Sequence, residues 1–235
     1  AMGCVAYYLE MPDVVNILAP LGGAQWWPAP AGGPSARIGA AMGWDENLQR
    51  PVLFGGLDGS GNVLDDTWSF DPATNTWQRE SVLLPPSPRT EHAIASAQAA
   101  QRFFLFGGRD NAGTPNVFGD LWLFDSAVSD WIPLSPTTAE PDGRFPGARY
   151  GANFIALDSN HFLLYGGVGP GGGTYGEWWI YDATTNEWDD LTNPVGIPGE
   201  RFRGFAAGAG FNGDAYVFGG NDAAGNPSNV LGFYD

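Results

Sequence analysis

The stretch FFLFGGRD (residues 103–110) decides how the chain is read. A short apolar run stops at two glycines. Nearly the same thing happens at VLFGGLD (52–58), LLYGGVG (163–169) and YVFGGND (216–222). The glycine pairs fall at 55–56, 107–108, 166–167 and 219–220, at intervals of 52, 59 and 53 residues. An arginine precedes each pair by 17 or 18 residues: Arg37, Arg89, Arg149 and Arg201. In three copies a tryptophan (Trp68, Trp122, Trp179) follows the second glycine by 12 or 14 residues. An aspartate stands three residues further on (Asp71, Asp125, Asp182), with Asp235 as its counterpart in the fourth copy. A second tryptophan (Trp77, Trp131, Trp188) follows the first by nine. So many fixed offsets define an internal repeat of about 50 residues.

Composition points to the class of fold. The chain has 235 residues, 43% hydrophobic and 14% aromatic with ten Trp, enough for a substantial core. It also carries 35 Gly and 19 Pro, a mixture that favours many short strands joined by turns. Each repeat holds four strand-like segments. In the second these are HAIASAQ (92–98), RFFLFG (102–107), DLWLFD (120–125) and DWIPL (130–134). We call such strands a to d. Turns such as DPATNT (71–76) supply Pro and Asn between c and d. A lone four-stranded sheet has two apolar faces it cannot bury. Stacking the units face to face around an axis buries both, with Trp filling the wedges. Strand b is then apolar on both sides. Its glycines mark a place where a side chain would meet the neighbouring unit or where the backbone turns sharply.

With its apolar run, GG pair, W-x-φ-D segment and second Trp, the chain from about residue 26 onward resembles the kelch repeat. The resemblance implies an all-β fold, a kelch-type β-propeller of four-stranded antiparallel blades, with about four blades in this chain. The blades would span about 37–80, 89–134, 149–191 and 201–235, the last closed by a d strand from 24–28 (AQWWP) within a propeller of 24–235. Residues 1–23 are then an N-terminal appendage or partial blade, because YYLE (7–10) reads as another c strand. A larger ring, or one shared between two chains, remains open on the same residues.

Charge and motifs limit function. Net charge is −16, with ten Arg and no Lys, so phosphate backbones are repelled and nucleic acid is not an expected partner. No apolar run approaches the ~20 residues of a membrane span. The compartment is not legible, and a soluble cytoplasmic or extracellular setting is equally compatible. Cys4 is the single cysteine, so no disulfide framework or Cys-based zinc site is expected. Neither His92 nor His161 has a partner at metal-ligand spacing, and His92 reads as a structural residue of strand a. G-x-S-x-G, HExxH and a phosphate-binding Gly loop are missing. Copper radical oxidases of this fold need two His, two Tyr and a Tyr-linked Cys, a set this chain lacks. A non-catalytic module is therefore expected.

In kelch propellers the b–c and d–a loops emerge on one face and carry ligand contacts. The b–c loops here are 57–66, 109–120, 168–177 and 221–230. The candidate binding residues are Arg37, Arg89, Arg149, Arg201, Arg109, Asp110, Asn116, Asp58, Asn62, Tyr175, Asn221 and Asn226. Two roles stand open for the repeated arginines. In related substrate adaptors an Arg at this place grips acidic peptides. Alternatively, each pairs with an acid such as Asp66, Asp120 or Glu177 and knits the blades. Asp58, Ser60, Asn62, Asp65 and Asp66 loosely resemble a calcium loop, but Val63 stands where its sixth-position Gly belongs. Calcium is the one cofactor any loop suggests, and otherwise none is expected. The leading function is binding of a protein or peptide. A carbohydrate-active or glycan-binding propeller is the alternative. A structural subunit that forms a homo-oligomer when the ring is not closed within one chain is the third reading.

Overall fold

The computed structural model describes residues 30–97, 102–140, 143–191, 207–211, 213–219, 226–227 and 231–234. The expected appendage (1–23) and the closing segment 24–28 lie outside them. Residues Gly32–Asp235 form a compact unit. Its described residues contain strands and no helix.

Four sheets follow one another along the chain, antiparallel except at one short pair. Blade 1 contains β1 (Arg37–Ile38), β2 (Ala41–Asp45), β3 (Arg50–Asp58), β4 (Val63–Asp71) and β5 (Thr76–Arg79). Here β2, β3, β4 and β5 are strands a to d, and β1 adds to the long β3. Blade 2 is β6 (Ala93–Ala97), β7 (Arg102–Phe106), β8 (Leu121–Asp125) and β9 (Asp130–Leu134). Next comes β10 (Thr137–Thr138). Blade 3 is β11 (Asn153–Ala156), β12 (His161–Tyr165), β13 (Trp178–Asp182) and β14 (Glu187–Asp190). Blade 4 shows β15 (Ala207–Phe211), β16 (Asp214–Phe218) and β17 (Leu231–Tyr234). His161 opens strand b of blade 3. One detail departs from the sequence reading: β10, from the long loop after blade 2, pairs in parallel with β14.

The sheets interlock through strand b. Side chains alternate across a strand, so successive residues face opposite neighbours. Phe103 and Leu105 of β7 join Val52 and Phe54 of blade 1 in one apolar cluster. Phe104 and Phe106 of the same strand join Phe154, Phe162, Trp179 and Trp188 of blade 3 in another. In β12 the pattern repeats, with Phe162 and Leu164 facing blade 2 while Leu163 and Tyr165 pack with Ala215 and Val217 of blade 4. Many rings meet edge to face, such as Phe104 on Phe162 at 4.8 Å and Phe106 on Trp188 at 5.5 Å. Burying each such side chain contributes on the order of 2–3 kcal/mol, and favourable ring geometry adds to that. Trp131, Trp178, Trp179 and Trp188 are therefore core, while Trp68, Trp77 and Trp122 are half-buried. Trp131 and Trp188 are each 1% exposed, and the Trp131 indole N–H donates to Thr67 Oγ1 of blade 1 at 3.0 Å.

The glycine pair ends strand b in blades 2 and 3 and shifts the register of β3 in blade 1, for two reasons at once. Both members adopt positive φ in each described pair, 65° and 100° at Gly107 and Gly108. They also lie against backbone. A Cβ at Gly107 would be driven into the carbonyl oxygen of Arg149 in the next blade. At Gly108 it would come within 2.8 Å of the His92 Cβ in the same blade. Gly107→Ala therefore adds a collision to left-handed strain and is expected to cost about 2 kcal/mol or more. Gly113→Ala, in a loop where a new Cβ has nothing within 4 Å, is expected to change stability little. Urea denaturation of the two variants checks the contrast.

Candidate binding face

The candidate face is built where strand a begins and strand b ends. Arg89 precedes β6 and is fully buried, with 0% of its side chain exposed. Its Nε donates to the Ser87 carbonyl at 2.9 Å and one terminal nitrogen to the Gly107 carbonyl at 2.9 Å. The fork also holds both Asp120 oxygens, at 2.6 and 2.9 Å. Its backbone reaches the other way, into blade 1. The Arg89 N–H donates to Leu64 O at 3.1 Å, and the Arg89 carbonyl accepts from Gly56 N–H at 2.9 Å. Arg149 repeats the arrangement one blade on. It donates to Gly166 O at 3.0 Å and Glu177 at 2.7 Å, while its backbone bonds Phe118 and Gly108 of blade 2. Arg37 binds Gly55 O and both oxygens of Asp66. Arg37, Arg89 and Arg149 thus pair with Asp66, Asp120 and Glu177 of their own blades, and the backbone of Arg89 and Arg149 makes the bonds to the blade before. Arg201 lies outside the described residues.

The carboxylate of each tie is also held by a tryptophan two residues later. The Trp68 indole N–H donates to Asp66 at 2.6 Å, Trp122 to Asp120 at 2.6 Å and Trp179 to Glu177 at 3.2 Å. Burial alone would raise the carboxyl groups of Asp66 and Asp120. The Arg and Trp donors together with the Arg charge outweigh it, and both sit below the usual carboxylate value. The sequence carried this as an acid-x-Trp pattern (Asp66–Trp68, Asp120–Trp122, Glu177–Trp179), a signal that had not been singled out. Aromatic rings cap the other side of the arginines, Phe118 at 4.2 Å from the Arg89 guanidinium and Tyr175 at 4.1 Å from that of Arg149. Tyr175 thus lies at the face with its ring engaged.

The structure brings Arg109 together with two residues outside the candidate set. Its guanidinium grips Glu91 through Nε at 3.1 Å and a terminal nitrogen at 2.9 Å, and lies 4.7 Å from the Tyr150 ring centre. The Glu91 hydrogen bonds and charge raise the Arg109 pKa above its ordinary value. Glu91 has φ +56°, at a position where blades 1 and 3 carry Gly39 (φ +64°) and Gly151 (φ +63°). There the backbone steps from blade to blade. Glu91 N–H donates to Gly39 O at 2.7 Å, and Gly151 N–H to Glu91 O at 2.7 Å. A glutamate in this left-handed conformation is held by its surroundings at a cost of about 1 kcal/mol or more.

In the loops, Asp58 and Asp110 are turn-formers. Asp58 accepts from the backbone N–H of Ser60 and Asn62 at 2.8 and 2.9 Å and from the Asn62 amide at 3.0 Å. Asp110 accepts from Ala112 and Asn116 N–H at 3.1 and 2.9 Å. The side chains of Asn116 and Asn226 are exposed, and Asn221 lies outside the described residues. Among the described residues no three His, Cys, Asp or Glu cluster as metal ligands. A cleft of about 350 Å³ opens on the opposite face between blades 2 and 3, over Phe104, Leu123, Leu134 and Tyr181.

Sheets, glycine pairs and arginine ties together define a kelch-type propeller. Residues 23–220 match the KLHDC2/KLHL20/DRC7 Kelch-repeats domain, and the chain belongs to the kelch-repeat family. It is 32% identical over 117 residues to the bovine (Bos taurus) Rab9 effector protein with kelch motifs, covering 49% of this chain and 29% of that protein. It is 29% identical over 143 residues to acyl-CoA-binding domain-containing protein 5 of Arabidopsis thaliana, covering 60% of this chain and 20% of that one. Kelch domain-containing protein 1 of Mus musculus is 26% identical over 133 residues, covering 54% of this chain and 30% of the mouse protein. The matches thus span a fifth to a third of the length of these relatives.

His92 gives a pH test of the packing between blades 1 and 2. It is 6% exposed and packs its ring 5.4 Å from Phe54. Burial, then the nearby Arg89 charge, push its pKa down to about 3. Below about pH 6.5 the unfolded chain takes up a proton that the folded chain does not. Stability therefore falls with acid from pH 6.5 toward 3, by about 2 kcal/mol between pH 7 and 5. Blades 1 and 3 carry Ala40 and Ala152 at this position. His92→Ala is expected to be less stable at pH 7 but to lose the acid slope, as read by urea denaturation at both pH values.

Proposed function

We propose that this chain is a non-catalytic binding module that takes a protein or peptide on its b–c and d–a loop face. The family to which it belongs is rich in protein-interaction modules, and one relative is named as an effector of Rab9. The observation that carries the reading is the Glu91–Arg109–Tyr150 group. It keeps a non-glycine residue in left-handed backbone where the neighbouring blades use Gly39 and Gly151. Strain retained against an available glycine is a mark of selection for something other than stability. Loops on a rigid scaffold are also where recognition concentrates. Arg109, Asp110, Asn116, Asn62 and Tyr175 are the contacts we assign to this face. The arginines of the ties bind the scaffold and contribute to the ligand indirectly.

A peptide library displayed against the immobilised chain tests this. Peptides enriched by the parent chain are expected to be lost, by tenfold or more in affinity, on Arg109→Ala and Asn116→Ala. They are expected to be retained on Thr74→Ala, in an exposed c–d turn of the other face. Enrichment that ignores the loop-face variants, or that disappears only with Thr74→Ala, would contradict the assignment.

A further inference from the structure

Strand d is the outermost strand of blades 1 and 2, but in blade 3 a further strand lies outside it. There β10 takes the edge of β14, in the one parallel pairing among the described strands. The fold does not require this addition. Before blades 1 and 2 the chain also reaches strand d, without adding a strand. Gly33 lies against the Trp77 ring, and the Leu83 and Leu84 N–H groups donate to the Asp130 side chain at 3.2 and 3.1 Å. Neither segment pairs its backbone along the edge. What distinguishes β14 is its charge. Of its four residues three are acids, Glu187, Asp189 and Asp190. The fourth, Trp188, is 1% exposed and anchors the strand in the core.

The strap formed by β10 and the residues after it is thinly held and mismatched in charge. Two backbone bonds tie it to β14, from Thr137 N–H to Asn186 O and from Ala139 N–H to Trp188 O, each at 2.9 Å. The hydroxyls of Thr137 and Thr138 add bonds to Glu187 and to Trp188 O at 3.3 and 3.2 Å. Further along the edge, the Asp190 N–H donates to the Glu140 carboxylate at 2.9 Å. That bond brings Glu140, 14% exposed, beside Asp189, with Asp190 next in the chain. Burial and the neighbouring Glu140 push the Asp189 carboxyl above its ordinary value. Arg144 reaches Asp190 at 2.6 Å and Glu140 at 3.4 Å, but its side chain is 54% exposed and its charge is screened by water. An extended segment with a cation in the place of Glu140 would keep both backbone bonds. It would also replace repulsion from the acids of β14 with attraction.

We infer that the outer edge of β14 is a strand-addition site for an extended, basic segment of a partner protein, which enters by displacing the chain's own β10. The inference is independent of what the b–c loops bind. Fluorescence anisotropy of a labelled peptide, SPTTARPDG, tests it. The peptide copies residues 135–143 with Arg in the place of Glu140. A tethered strap competes at an effective concentration on the order of millimolar, so the strap is weakened first. Ala139→Pro does this by removing the N–H on Trp188 O. Ala139→Pro is expected to bind the peptide at least tenfold more tightly than the parent chain does. It is expected to bind the same peptide with Glu restored at least tenfold more weakly, and Asp189→Asn in the Ala139→Pro background to weaken binding of the Arg peptide. If Ala139→Pro does not fold, replacement of residues 137–139 by Gly-Ser-Gly takes its place. No binding to the strap-weakened chain, equal binding by the parent, equal binding of the Arg and Glu peptides, or equal binding of a scrambled peptide of the same composition would each overturn the inference.

Discussion

Everything in this fold turns on a buried guanidinium. Each described arginine of the repeat sits where strand a begins. Its side chain is spent on its own blade, on a glycine carbonyl and a carboxylate. In Arg89 and Arg149 the backbone is spent on the blade before, on the N–H of a second glycine. Burying the charge is costly, and several hydrogen bonds to a carboxylate offset that cost. The glycine pair is the steric counterpart of the tie. A side chain at Gly55 or Gly107 would occupy the space of the next arginine's carbonyl. The two sequence marks seventeen or eighteen residues apart are thus the two ends of one joint.

This joint fixes what is left for recognition. The arginine positions that in sequence suggest a ring of free positive charge are neutralised in place at Arg37, Arg89 and Arg149. Variation is pushed outward to the b–c loops, whose Asp58 and Asp110 fold the turns and leave residues such as Asn116 presented. It is also pushed onto the step where blade 2 departs from blades 1 and 3, Glu91 in place of Gly39 and Gly151.

Much of this was legible because a repeat states its rule several times. Strand b reads FFLF, VLF and LLY before GG, and alternation then assigns each residue to a neighbour. The acid partners of Arg37, Arg89 and Arg149 were readable from their fixed offsets. Other features left no such trace. The left-handed backbone of Glu91 shows in sequence only as a missing glycine. The parallel strand Thr137–Thr138 comes from a loop with no counterpart in the other blades, so no repetition announced it. The grip of Trp122 on Asp120 was present as a spacing but needed the fold to show that a residue and its second neighbour converge at the strand edge.

The central claim is that the buried arginine and its carboxylate stabilise the joint as one unit. A double-mutant cycle on Arg89→Met and Asp120→Asn, followed by urea denaturation, measures it directly. A coupling energy of about 2 kcal/mol is predicted, as for hydrogen bonds between charged groups held in a buried joint. Effects that add to within about 0.3 kcal/mol would show that the two residues stabilise the chain independently, and the account of the joint would fail.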